Sequence, residues 1–158
     1  MTPQELAEAG WHLVPWTNRQ ATTRQPIVKG YLENHPTPET VAGWMVRYTA
    51  CDWAVVPKQH VVLDIEMKNG QDGEKSLLAL SSDSLAAYPQ TKTFNGGRHV
   101  WMQVPQGCEL KGGVWIGEGL EVKRNASVHI PPSAGYAWLR PLGLPDDIPV
   151  APDWFMEA

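Results

Sequence analysis

The stretch VVLDIEMKNG, Val61–Gly70, sets three apolar residues before two carboxylates, Asp64 and Glu66, with one residue between them. Side chains of an extended strand alternate between faces, so Asp64 and Glu66 point the same way, about 7 Å apart along the chain. Leu63, Ile65 and Met67 take the opposite face. Two like charges on one face repel. Either that face is open to water, or something cationic lies between them.

Two later stretches repeat the two-faced design. In RHVWMQV, Arg98–Val104, His99, Trp101 and Gln103 share a face opposite Val100, Met102 and Val104. In GLEVK, Gly119–Lys123, Glu121 and Lys123 oppose Leu120 and Val122. If the three strands are neighbours, Asp64, Glu66, His99, Glu121 and Lys123 meet on one sheet face. Three carboxylates and a histidine there suit a hard cation, Mg²⁺ or Mn²⁺, with room for phosphate. Two such ions can activate a 3′-hydroxyl and steady a leaving pyrophosphate. Blander readings stay open on the residues alone. A DxE pair is ordinarily the solvated face of an amphipathic strand. NGG, Asn95–Gly97, is ordinarily a hairpin turn. PPS, Pro131–Ser133, is ordinarily a strand terminator, and Trp101 and Trp115 read as core or edge packing.

Around these stretches the chain alternates helix and strand, then turns to short strands. TPQELAEAG predicts a helix with Thr2 as cap, Pro3 in the first turn, Glu5 completing a capping box and Gly10 as stop. WHLVPW is a strand, followed by a polar loop carrying Arg19, Arg24 and Lys29. TPETVAGWMVRY predicts a helix whose Val41, Trp44, Met45 and Tyr48 form one stripe. WAVVP is a buried strand, and GEKSLLALSSDSLAAY a third helix. TKTF, HVWMQV, GVWI, LEVK, SVHI and YAWL follow as short strands between glycines. The tail from about residue 141 is too rich in proline for regular structure. The expected class is α+β with a mostly antiparallel sheet, in one domain over 1–158.

Composition narrows the function. With 42% apolar and 19% charged residues, the 158-residue chain reads as globular rather than disordered. Most of its eight tryptophans are expected in the core. A net charge of −4 argues against coating nucleic acid by bulk electrostatics, though not against a local basic strip. Cys51 and Cys108 lack metal spacing and read as free thiols. No apolar run suits a membrane span and the start lacks a signal-peptide pattern, so no membrane partner and a cytoplasmic location are expected.

The order and spacing of the motifs resemble a family. From about Glu5 to Arg140 the chain is similar to the bifunctional primase–polymerase (prim-pol) domain of the archaeo-eukaryotic primase superfamily. LAEAGWHLVPW resembles that family's opening helix, glycine and strand ending in proline. RQPIVKGYLENHPTPETVAGWMVRY resembles its basic-x-Pro segment and Trp-containing helix. VVLDIEMKNG, FNGGRHVWMQVP and GLEVKRNASVHIPPS resemble its three motifs: an Asp-x-Asp/Glu pair, a Gly-Gly-x-His strand start, and a third acid trailed by Pro-Pro-Ser. Two positions depart from the pattern. Glu121 stands where Asp is common, and Asn95 where Ser or Thr is usual.

The resemblance implies an αβ unit packed on an RRM-like, mostly antiparallel sheet that carries the acids. It implies a metal triad of Asp64, Glu66 and Glu121. His99 would contact the incoming triphosphate, with Asn95, Gly96 and Gly97 allowing close backbone approach, and Lys123, Arg24 and Lys29 would supply phosphate charge. The implied activity is template-directed nucleotidyl transfer, as a DNA primase or polymerase using Mg²⁺ or Mn²⁺. Nucleoside triphosphates and a DNA template and primer are the expected ligands, and a helicase or helical primer-synthesis domain is a candidate partner. Because Lys and Arg number 13 against 17 acids, DNA is expected to bind weakly to this domain alone, along a narrow basic strip beside the acids drawn from Arg19, Arg24 and Lys29 and from Lys111, Lys123 and Arg124. A metal-dependent nuclease or replication initiator, and a non-catalytic nucleotide- or DNA-binding domain, are the rival readings.

Overall fold

The N-terminal residues fold as their punctuation directs. In the computed structural model, which describes residues 1–158, α1 (Pro3–Glu8) opens on a reciprocal capping box. Thr2 Oγ1 accepts from the Glu5 N–H, and Glu5 Oε1 accepts from the Thr2 N–H. β1 (Leu13–Trp16) precedes a long loop and α2 (Pro38–Arg47), capped by Thr37. Next come β2 (Asp52–Val55), β3 (His60–Ile65) and α3 (Gly73–Leu80). Six short strands follow: β4 (Gln90–Lys92), β5 (Arg98–Gln103), β6 (Val114–Gly117), β7 (Leu120–Lys123), β8 (Val128–Ile130) and β9 (Ala137–Arg140). A 3₁₀ turn at Pro145–Asp147 and α4 (Asp153–Glu157) end the chain.

The strands form two sheets, β1-β2-β8 and β6-β7-β3-β5-β4-β9, and every named strand pair is antiparallel. The fold is therefore mixed α+β with mostly antiparallel sheets, as the sequence led us to expect. The larger sheet separates two cores. One face sends Leu63, Ile65, Val100, Met102, Leu120 and Val122 against Leu77 of α3 and Phe155 of α4. The other face sends Val62 and Trp101 into a core shared with Leu6, Val41, Trp53, Val55 and Ile130 of the smaller unit. That unit covers only one end of the face. Two residues further along β3, where Asp64 stands, apolar packing gives way to polar side chains, and a cleft opens there.

Three expectations need correction. α3 ends at Leu80 instead of running on to Tyr88. Beyond it, Ser81 Oγ accepts from the Asp83 N–H and Asp83 Oδ1 from the Leu85 N–H, so short polar side chains take backbone groups that a helix would need. The proline-rich tail is ordered. Ile148, Ala151 and Phe155 are buried, and the tail bonds along β5 through Gln103 N–H to Pro149 O and Ala151 N–H to Gln103 O. Of the eight tryptophans only Trp11, Trp53 and Trp101 are buried, because several others lie at the edges of the two sheets. Cys51 and Cys108 are free, and no helix is long and apolar enough to cross a membrane.

The Pro-Pro-Ser segment ties the smaller sheet to the chain that follows it. Ser133, 2% exposed, accepts from the Trp53 N–H at 2.7 Å and donates to Trp53 O at 2.9 Å. Ser133→Ala leaves a buried backbone N–H without its partner, which costs about 1–3 kcal/mol. The expected result is a lower urea midpoint at an unchanged slope; an unshifted midpoint would mean that the segment does not depend on this hydroxyl.

Candidate active site

β3 lies between β5 and β7, and the register puts Asp64 opposite both His99 and Glu121. Directly opposed residues share a face. Asp64 is buried, with His99 Nε2 at 3.3 Å from Oδ1 and Lys123 Nζ at 3.1 Å from Oδ2. Burial alone would raise the Asp64 pKa. The hydrogen bond and charge of His99, joined by Lys123, outweigh it and hold the carboxyl down at about 2. Lys123 is shifted the other way: burial pulls it down, but Asp64, Glu121 and Glu66 more than compensate and raise it. The opening question has its answer here. Each of the paired acids has its own ammonium beside it, Lys123 at Asp64 and Lys68 at Glu66, where Nζ lies 3.4 Å from Oε2.

Glu66 lies one residue past β3 and is held by its backbone. Its N–H donates to Gly119 O and its carbonyl accepts from the Gly73 N–H, both at 2.8 Å. Gly119 has a φ of +74°, and a side chain there would meet the Gly73 backbone, so glycine is needed on both counts. With Glu66 fixed in this way, ligand oxygens of Asp64, Glu66 and Glu121 lie within 4.8 Å of one another. A cleft of about 200 Å³ opens beside them, lined by Asp64, Glu66, His99 and Lys123 together with Arg19, Phe94, Asn95, His129 and Tyr136. A cavity of about 470 Å³ lies elsewhere along Arg19, but its one carboxylate, Asp52, is already paired with Arg24.

A family model described as bifunctional DNA primase/polymerase, N-terminal, matches residues 3–154. The chain belongs to this family. No curated protein matches it. Prim-pol membership supports a DNA primase or polymerase function, and the acidic cluster in this prim-pol domain is suited to a metal ion.

The other residues singled out from the sequence are distributed unevenly about the prim-pol cleft. Asn95 lines it, whereas Gly96 lies at the exposed tip of the β4–β5 hairpin. Gly97 is buried against the Ile65 carbonyl, where a Cβ would collide, so its close backbone approach is to β3. Arg24 does not line the cleft. It donates to Asp52 Oδ2 at 2.9 Å and approaches His129 Nε2 at 3.0 Å. Lys29 is exposed and does not line it either. Arg124 is committed to the carbonyls of Lys58 and Leu110.

Of the basic loop expected beside the cleft, Arg19 does line it, whereas the aromatic lining residues Phe94, His129 and Tyr136 escaped sequence reasoning. The Arg19 guanidinium sits 3.2 Å above the centroid of the Phe94 ring. His129 stacks on Tyr136 at 6.0 Å between ring centroids. Because Arg24 can only donate, His129 Nε2 accepts and its proton resides on Nδ1. Burial, reinforced by the Arg24 charge, lowers the His129 pKa to about 4 and keeps the ring neutral. Burial likewise raises the Tyr136 phenol. The alternation in SVHI does place His129 opposite Val128 and Ile130. Nothing local marks Tyr136, which reaches the cleft only because the chain turns back after Ser133.

Proposed function

We propose that this prim-pol domain is a template-directed nucleotidyltransferase that joins a nucleotide to a 3′-hydroxyl with release of pyrophosphate. The observation that carries the reading is the convergence of Asp64, Glu66 and Glu121 ligand oxygens within 4.8 Å, beside His99 and Lys123. Three hard oxygen donors suit Mg²⁺ or Mn²⁺ better than a thiophilic ion, and the set itself contains neither cysteine nor histidine. Asp64, Glu66 and Glu121 would hold the ions. Bound divalent ions supply Lewis-acid stabilisation of phosphoryl oxygens and a lowered pKa for the attacking hydroxyl.

The remaining work falls to this chain's side chains and is mostly positioning and electrostatics. Lys123 brings fixed positive charge to the phosphates. His99 gives its Nε2–H to Asp64, while its Nδ1 is buried without a protein partner. That nitrogen can donate to a phosphate oxygen only from the imidazolium form, whose charge Asp64 offsets. His99→Ala should therefore weaken nucleoside triphosphate binding by about 10- to 100-fold, the range for a charge-assisted hydrogen bond. DNA binding should change far less; equal losses in the two titrations would remove His99 from this role.

The direct test is a gel assay on a labelled primer–template with Mn²⁺ or Mg²⁺, with and without nucleoside triphosphates. Primer lengthening that needs both nucleotide and metal is the expected result. Strand cleavage in the absence of nucleotide would replace this reading by a nuclease. A helicase or helical primer-synthesis domain that holds the template completes the proposal, because so few basic side chains flank the cleft.

A further inference from the structure

The larger sheet carries one row of directly opposed residues across all six strands. In order they are Trp115 on β6, Glu121 on β7, Asp64 on β3, His99 on β5, Thr91 on β4 and Trp138 on β9. Trp115 is thus on the same face as the acids, one strand spacing, ~4.8 Å, from Glu121 and two, ~9.6 Å, from Asp64. Its neighbours agree. Ile116 packs on the opposite core, and Val114 is paired with Val122 of that same core. The register shifts just after Trp115, and such irregularities commonly re-aim a side chain next to a site. Trp115 is 51% exposed and is the only one of the eight tryptophans that is exposed.

We propose that Trp115 is the stacking platform for the base of the primer's 3′-terminal nucleotide. The inference rests on the nucleotidyl-transfer reading above and adds a ligand to it. In phosphoryl transfer the attacking and leaving oxygens lie roughly in line across the phosphorus. Of the groups assigned to the triphosphate, His99 and Asn95 lie on the β5 side of Asp64, while Lys123 stands on β7 off this row, opposite Val62. Within the row, an attacking 3′-hydroxyl in line with His99 enters from the β7 side, past Glu121, and the first side chain along that line is Trp115. One nucleoside spans the distance from Asp64 to the indole. Stacking on an exposed aromatic needs no particular base, as a template-directed enzyme requires.

The test compares two primer–template duplexes, one with an ordinary 3′-terminal base and one with an abasic 3′-terminal nucleotide, by fluorescence anisotropy without nucleoside triphosphate. The wild-type protein should favour the intact end by about tenfold, within the range for stacking one base. Trp115→Ala should bind both ends alike, at the weaker level, and Trp115→Phe should keep most of the preference. Triphosphate affinity should stay the same in both variants. A wild type indifferent to the terminal base, or a Trp115→Ala that retains the preference, would overturn the assignment. Primer lengthening by the wild type is read separately. An enzyme that extends primers without this preference loses only the Trp115 assignment, and one that shows the preference without extending loses the nucleotidyl-transfer reading instead.

Discussion

Asp64→Ala is expected to reduce nucleotide addition by about a thousandfold or more in a primer-extension assay, while the protein still folds. Loss of one preorganised electrostatic group typically costs ~10²–10³ in rate, and Asp64 is more than one such group. It is a third of the carboxylate set and the shared partner of His99 and Lys123. Its removal also weakens the protein, because a paired charge is left behind. For a fully buried pair that penalty is about 3–5 kcal/mol. Lys123 is 28% exposed at its side chain and still feels Glu121 and Glu66, so about 1–2 kcal/mol is expected here. The sign with pH follows from the lowered carboxyl. Its folded pKa of about 2 lies below the ordinary 3.8, so the stabilisation is complete above about pH 4 and is lost as pH falls towards 2. Wild type and variant should therefore differ in melting temperature near neutrality and converge in acid. A variant that fails to fold at any pH would make Asp64 a structural residue.

Gly97→Ala carries the second large effect, and it acts on the backbone. A Cβ at this position would drive into the Ile65 carbonyl and sit 3.2 Å from Thr93 Oγ1. The carbonyl belongs to β3, so it can yield only if β3 moves against β5, next to the Asp64–His99 pair. Overpacking typically costs about 1–3 kcal/mol, and a clash with backbone that cannot swing aside belongs at the upper end, about 3 kcal/mol; nucleotide addition should fall with it as Asp64 and His99 separate. Gly96→Ala is the control. Nothing lies within 4 Å of its Cβ position, and its φ of +82° costs only the left-handed backbone, about 1–2 kcal/mol. Equal urea midpoints for the two variants would show that the close approach of β5 to β3 does not constrain the site.

The shared face of Asp64, His99, Glu121 and Lys123 was legible because a period of two leaves no freedom once LDIEM, RHVWMQV and GLEVK are strands. Their adjacency was not, since a strand pattern does not name its neighbours. It came from the motif resemblance. Charge pairing was harder still. Lys123 read as a phosphate ligand, yet its distance from Asp64 depends on the β3–β7 register. Arg24 read as another, and its pairing with Asp52 and His129 joins residues up to 105 positions apart. Local rules failed in α3, where Ser81 and Asp83 close turns despite helical periodicity. They also failed in the tail, whose prolines hid apolar residues that the sheet and its core then order.

The central claim is that Asp64, Glu66 and Glu121 hold divalent metal against a triphosphate bound beside His99. A crystal structure soaked with Mn²⁺ and a non-hydrolysable nucleoside triphosphate, read by anomalous scattering at the manganese edge, tests it most directly. The account predicts manganese coordinated by those three carboxylates, with the triphosphate in hydrogen-bond reach of His99 and Lys123. Manganese elsewhere, or a triphosphate bound away from the β3–β5 face, would contradict it.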